Sequence, residues 1–300
     1  VTSAVFKQVR VHLHRRNIVG GWNLLRVFLF SIFFCLPVQV PANEKTTVAS
    51  INLCADQMLL LLAEDDQIVS LTNLSHQEEG SYYFEKARDF PVNEGHAEQV
   101  LNLRPDVVIV GQYSSRHTVA TLRDAGLTVH TLPIANTVEM MFENIESVAS
   151  WVGVAARGTQ MVSYLREKLS WLAPAENPRP MAAVFDPNGF TSGAATLRGE
   201  MIEIAGFRNA ATEAGIESFG KLSLETMINL NPDALIKSPY SPNTWSRAQA
   251  MSRHPALSIA GIDPQVISVP SRMTVCAGPW TLDVIAELHA ARVALSESSE

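Results

Sequence analysis

Two stretches of the chain repeat one another. Residues 98–109 read Glu-Gln-Val-Leu-Asn-Leu-Arg-Pro-Asp-Val-Val-Ile, and residues 225–236 read Glu-Thr-Met-Ile-Asn-Leu-Asn-Pro-Asp-Ala-Leu-Ile. The identities fall at Glu98/Glu225, Asn102/Asn229, Leu103/Leu230, Pro105/Pro232, Asp106/Asp233 and Ile109/Ile236. Each copy reads as a short helix that opens on an acid, where the helix dipole favours negative charge. Proline then ends the helix, because the residue before it is pushed out of the helical region. A buried strand follows. A junction of this kind is common α/β grammar and can recur by chance. Its recurrence on either side of a long helical stretch favours two related lobes.

The surrounding pattern supports that division. Thr47–Ile51, Ile68–Leu71, Val107–Val110 and Leu127–Leu132 have strand length and apolar character, with helical segments at 57–63, 97–102 and 118–125 between them. Strands alternating with helices imply a parallel sheet covered on both faces. Asp56 is placed to cap the first of these helices. From 137 to 172 the periodicity is helical. One stripe carries Met141, Ile145, Val148 and Val152, and a second carries Met161, Tyr164, Leu165 and Leu169, with Gly153 separating two helices. Pro174, Pro178 and Pro180 close that stretch. Alternation then resumes, with strands expected at 181–185, 234–237 and 265–269 and helices at 201–205, 222–230 and 281–295.

The N-terminus differs from the rest. Lys7, Arg10, Arg15, Arg16 and Arg26 precede any acidic residue, the apolar run Val27–Val38 follows, and Val40-Pro41-Ala42 supplies small residues. The run is shorter than the ~20 residues that a membrane-spanning helix requires. This order reads as a cleavable secretory signal over residues 1–42. Its removal takes five positive charges from a formal net charge of −7 and leaves −12. Such a surface repels nucleic acid and suits a basic partner. Two cysteines remain, Cys54 and Cys276.

The strand opening with Ala55-Asp56-Gln57, the segment Asn102–Val110, Ala125-Gly126-Leu127-Thr128-Val129, Phe190-Thr191-Ser192-Gly193 and Ile204–Ala210 resemble the periplasmic binding proteins of ABC importers for iron-siderophores, haem and cobalamin. The resemblance covers the chain beyond residue 42 and implies two Rossmann-like α/β lobes joined by one long α-helix, with the ligand cleft between them. The expected division is 1–42 signal, 43–153 N-terminal lobe, 154–174 connecting helix and 175–300 C-terminal lobe. It further implies a periplasmic monomer that is no enzyme and has no intrinsic cofactor. Such a protein captures a ferric siderophore, haem or cobalamin and hands it to an inner-membrane permease with its ATPase. Glu98 and Glu225 match the acids with which the family docks onto permease arginines. Helix-terminal acids of purely local value fit the same positions.

In open α/β sheets, ligands sit beyond the carboxyl ends of the strands. The residues that follow the strands are therefore the candidate cleft: Asn52, Cys54, Gln57, His76, Tyr82, Tyr83, Gln112 and Tyr113 from the first lobe. The second contributes Phe190, Phe219, Tyr240, Trp245, Arg272, Cys276 and Trp280. Aromatic rings give rigid apolar walls, and Arg272 suits a carboxylate or catecholate oxygen. Cys54 and Cys276 are compatible with inert thiols, with an inter-lobe disulfide, or with soft contacts to ligand or metal. A bridge would hold the cleft nearly shut, which weighs against it in a protein that must release cargo. A bare metal ion is the weaker reading, since His76, His96, His117, His130 and His254 form no closely spaced pair. A non-transport sensor on the same fold is the remaining alternative. The sequence contains no Walker loop, Gly-x-Gly-x-x-Gly, Gly-x-Ser-x-Gly or His-Glu-x-x-His.

Overall fold

In the computed structural model the described residues are 45–172, 179–238, 247–248, 250, 254–256 and 263–297. The signal segment expected at 1–42 lies outside them, as do Tyr240 and Trp245. Strands β1 (Val48–Ser50), β2 (Ile68–Thr72), β3 (Val92–Asn93), β4 (Val107–Gly111) and β5 (Thr128–Leu132) form one sheet in the order β3-β2-β1-β4-β5. Every pairing in it is parallel. The apolar run of β4 is buried along its whole length, as expected for a central strand covered on both faces. Helices α1 (Leu53–Leu62), α2 (Phe84–Ala87), α3 (Ala97–Leu103) and α4 (Arg116–Asp124) connect these strands.

A second sheet follows the helical stretch. Strands β6 (Met181–Val184), β8 (Arg208–Asn209), β10 (Ala234–Lys237) and β11 (Gln265–Ser268) lie parallel in the order β11-β10-β6-β8. Beside it, β7 (Phe190–Ser192) and β9 (Phe219–Lys221) form an antiparallel pair. Helices α7 (Leu197–Ile204), α8 (Ala210–Glu213), α9 (Leu224–Leu230) and α10 (Trp280–Glu297) complete this lobe. The edge strands β3 and β8, of two residues each, and the β7–β9 pair were not foreseen, because such short runs show no periodicity.

The repeated segments occupy matching places. Helix α3 ends on Arg104 in the left-handed region (φ 50°) and α9 ends on Asn231 (φ 46°), before β4 and β10 respectively. β4 lies between β1 and β5, and β10 lies between β6 and β11. The turn aspartates make the same bond to the start of the neighbouring strand. Asp106 Oδ2 accepts the Thr47 N–H at 2.8 Å, and Asp233 Oδ2 accepts the Met181 N–H at 2.7 Å. These bonds from Thr47 hold the Asp106 carboxyl below its ordinary pKa. The echo is thus a structural repeat whose aspartate fastens one strand to the next.

Helices α5 (Val138–Trp151) and α6 (Ala155–Ser170) link the lobes. Thr137 caps α5 by accepting the Met140 N–H, and Gly153 (φ 77°) turns the chain into α6. Met141, Ile145, Val148 and Val152 are buried as the first stripe requires. The second stripe differs. The buried face of α6 carries Gly158, Val162 and Leu165, while Tyr164 is 64% exposed. With one face covered, α6 lies along the outside of the molecule. At 1.5 Å per residue it spans about 24 Å. Its far end reaches the second lobe through a Lys168–Asp283 ion pair at 2.5 Å. One buried apolar cluster runs through both lobes, from Val48 and Met58 through α5 to Val184 and Leu282, although the sheets remain separate.

Three boundaries are corrected. Helix α1 begins at Leu53 with Asn52, not Asp56, as its cap, because the Asn52 side chain reaches the free N–H groups of Cys54 and Ala55. Asp56 points inward and is fully buried. Helix α7 starts four residues before the expected 201, at a Thr196 cap. Helix α9 begins at Leu224 after a Ser223 cap, which leaves Leu222 as a buried residue beyond β9.

Candidate ligand cavity

The carboxyl ends of β1, β4 and β5 deliver Ile51 and Asn52, Gly111–Ser114, and Leu132–Asn136 to one wall of a cavity of about 490 Å³. The other wall is Thr196–Arg198 at the start of α7, Phe219 in β9, and Thr274–Ala277 ahead of α10. The cavity therefore lies between the lobes, where strand ends face one another. Its volume is within the ordinary range for small-ligand clefts.

Asn52 has two roles there. Its Oδ1 accepts from Cys54 N and Ala55 N, each at 3.1 Å, while Nδ2 presses on Gly111. A Cβ at Gly111 would lie 2.3 Å from that nitrogen, so only glycine allows β4 to pass so close. Asn144, reaching up from α5, donates to Pro133 O at 3.0 Å, and Gln112 Oε1 accepts the Ile134 N–H at 3.3 Å. Both bonds set the position of the 133–136 wall. Opposite, Thr196 caps α7 through Gly199 N, and Arg198 extends to Asp186 at 2.5 Å and to Ser238 Oγ at 3.2 Å. The Arg198 side chain is 17% exposed and Asp186 compensates its charge. Amide side chains and apolar surface therefore dominate the described lining.

Cys54 and Cys276 both line the cavity and are joined by a disulfide, with Cα atoms 5.3 Å apart. This corrects the expectation that a bridge was disfavoured. The lobes approach so closely at this point that the α1 N-terminus and the segment before α10 fall within bridging distance. The bond does not eliminate the cavity; it forms part of its wall.

Several expected cleft residues serve the lobe-to-lobe contact beside the disulfide instead of the cavity. Tyr82 stacks on Trp280 with centroids 4.6 Å apart, and Tyr83 meets Trp280 edge-on at 5.6 Å. Trp280 is 1% exposed and donates Nε1–H to Cys276 O at 2.9 Å. Gln57 is buried; its Oε1 accepts the Tyr82 N–H at 2.7 Å, and its amide nitrogen has no acceptor among the described residues. Ser271 donates to Glu79 O at 2.5 Å, and Arg272 meets Glu78 at 3.4 Å while lying over Phe84. His76 bonds Ala87 O at 2.9 Å, which secures its turn to α2. Phe190 is half exposed under Lys221 Nζ, 4.8 Å from the ring centre.

Of the expected residues, Asn52, Cys54, Gln112, Tyr113, Phe219 and Cys276 are on the cavity wall. Tyr113 stands at the rim, 83% exposed. Sequence reasoning missed Asn136, Asn144, Thr196 and Arg198. Thr196 was the legible one, since a threonine ahead of an apolar-periodic run is a capping signal. Glu98 and Glu225 are exposed in the first turns of α3 and α9. His130 stacks flat on Trp151 at 4.5 Å, and burial lowers its pKa. Among the described residues no three His, Cys, Asp or Glu side chains gather as a metal site.

A family model for periplasmic binding proteins matches residues 48–273. An uncharacterized ABC transporter substrate-binding lipoprotein of Bacillus subtilis, YvrC, is 24% identical over 264 residues, covering 82% of this chain and 79% of that protein. A cobalamin-binding protein of Halobacterium salinarum is 26% identical over 204 residues, covering 65% of this chain and 54% of that protein. Among solved structures, the apo periplasmic haem-binding protein RhuT from Roseiflexus sp. RS-1 superposes with a TM-score of 0.70 at 22% identity, covering 84% of this chain and 99% of that one. The vitamin B12-binding protein BtuF of Vibrio cholerae superposes with a TM-score of 0.64 at 16% identity, covering 84% and 98%. These likenesses in fold accompany a family match that begins at β1 and ends ahead of α10, so it takes in both sheets, the helical link and most of the cavity wall. The chain belongs to the periplasmic binding protein family.

Proposed function

We propose that this protein captures a metal chelate of the haem, cobalamin or ferric-siderophore kind and delivers it to an ABC permease and its ATPase. The observation that carries this reading is a cleft of about 490 Å³ between two lobes of the binding-protein fold. Membership of the family supports a periplasmic location, and an oxidising compartment of that kind lets a disulfide persist. The relatives and neighbours include haem-binding and cobalamin-binding proteins, which supports the chelate class. A bare ion is not favoured, as no cluster of ligating side chains stands among the described residues.

Within that class the lining favours cargo with an uncharged periphery. Among the described lining residues, Asn52, Gln112, Asn136 and Asn144 offer amides, and the cation Arg198 is already neutralised by Asp186. Among these described residues a buried ligand carboxylate meets no free positive partner, which is costly. Amide groups around a chelated metal are met without that penalty. The expected order is therefore cobalamin ahead of haem and of a ferric catecholate. Calorimetry of the mature protein against those three, with simple metal salts as control, checks it. A ligand at about 100 times its Kd also raises stability by about 2.7 kcal/mol, visible as a higher Tm. Tighter binding of haem than of cobalamin would remove the argument from the lining. No binding by any chelate would remove the function. Glu98 and Glu225 are the proposed docking acids for the permease.

A further inference from the structure

Two covalent connections join the lobes, in addition to the buried apolar cluster that they share. One is the α5–α6 link and the other is the Cys54–Cys276 bond, made between residues separated by 222 positions. A body hinged at a single connection can open; joined covalently at a second, it loses that rotation. The second connection is itself part of the cavity wall. Among the described residues the contacts beside it are the Tyr82 and Tyr83 rings against Trp280, the Ser271–Glu79 hydrogen bond, and Arg272 on Glu78 and over Phe84, all of them non-covalent and able to separate and re-form.

We propose that Cys54–Cys276 is a thiol–disulfide exchange site for a dithiol reductant, and that its redox state gates the cavity. The two cysteines are not equivalent. Cys54 is partly exposed on the wall, whereas Cys276 is 2% exposed. Cys54 also occupies the second position of α1, where the dipole of a ten-residue helix favours a thiolate. A thiolate of the incoming dithiol attacks the Cys54 sulfur, the protein S–S bond breaks, and Cys276 departs and takes up a proton. The second thiolate of the reductant then attacks the mixed disulfide and releases Cys54 as a thiolate held by the helix end. The dithiol becomes a disulfide, and the protein gains the Cys276 thiol and the Cys54 thiolate; the proton on the second reductant thiol supplies the one that Cys276 takes up, so electrons and atoms balance. In the oxidised form the lobes are held together and cargo exchange is slow; in the reduced form they separate.

The gate rests on the reading of the cavity as a ligand site only for its effect on cargo; the opening itself is measured without ligand. The mature protein is compared in its oxidised state and after dithiothreitol, with alkylation mapped to Cys54 and Cys276 by mass spectrometry. Hydrogen exchange at 111–114 and 274–277 should rise at least about fivefold on reduction while β4 stays protected, and small-angle scattering should show a larger radius of gyration. Cobalamin or haem, whichever binds, should dissociate about tenfold faster from the reduced form. Cys54→Ser/Cys276→Ser should match the reduced protein and ignore dithiothreitol; should it fail to fold, the reduced native protein carries the test. A bond that resists dithiothreitol until the protein is unfolded overturns the proposal, as does reduction that leaves exchange and scattering unchanged. Opening on reduction with no chelate bound in either state upholds the gate and removes the ligand reading instead.

Discussion

At the scale of single residues, Asp56 shows how burial decides chemistry. It looks like a helix cap, yet it lies inside the first lobe, where it accepts the Thr72 N–H and, at 2.5 Å, the Thr72 hydroxyl. Burial, which outweighs those hydrogen bonds, raises its pKa to about 7. The folded protein therefore holds a proton that the unfolded chain releases near its ordinary value of 3.8. Stability from this group is fully present below pH 3.8 and is lost as pH rises towards 7, by roughly 4 kcal/mol at most. Asp56→Asn, which is neutral throughout, should abolish that part of the slope. The measurement is urea unfolding of both proteins between pH 4 and pH 8. The difference in stability between them should change across pH 4–7 and level off above it. A parallel pair of curves would show Asp56 ionised in the fold.

At the scale of elements, the α5–α6 seam depends on one small residue. A Cβ at Gly158 would stand 2.5 Å from Ala149 Cβ, an atom fixed by the α5 backbone that cannot rotate away. Gly158→Ala gains about 1 kcal/mol of helix propensity. It loses about 1–3 kcal/mol by forcing the helices apart. The expected outcome is a net loss of about 1 kcal/mol, a lower Tm by calorimetry, and faster exchange of α6 amides. An unchanged or higher Tm would mean that the seam has slack. The expected helical stripe in this region was half right for a related reason. Periodicity identified which helix faces inward, but Tyr164 sits at the edge of the α6 stripe and turns to solvent. A stripe predicts a face only to within about one residue position.

At the scale of the whole molecule, the repeat carries consequences beyond its own strands. Glu98 and Glu225 sit at matching places in the two lobes, each exposed in a first helical turn. Charges placed in this way orient an encounter and raise its rate more than they add affinity. Glu98→Lys/Glu225→Lys should therefore lower uptake in a reconstituted permease assay by at least about tenfold while the chelate Kd stays the same. Uptake at the native rate would leave both acids with their helix-local role alone. The strong net negative charge expected beyond residue 42 works in the same direction, because it favours a basic partner surface.

The sequence by itself determined the two-lobed α/β plan. Residues 98–109 and 225–236 encode it with local signals: an acid in a first turn, a proline stop, a turn aspartate and a buried run. Such signals act over a few residues, so they survive any tertiary arrangement. Part of the cavity was legible for the same reason, since Asn52, Gln112, Tyr113 and Phe219 lie at or next to strands. What the tertiary structure decided was every outcome that depends on how closely the lobes approach. It paired Cys54 with Cys276, turned Tyr82, Tyr83 and Trp280 from cleft lining into a clamp, drew Asn144 and Arg198 into the cavity wall, and buried Asp56. Proximity between residues far apart in the chain, and the loss of solvent that comes with it, depend on the packing of whole elements and leave no periodic trace in the sequence.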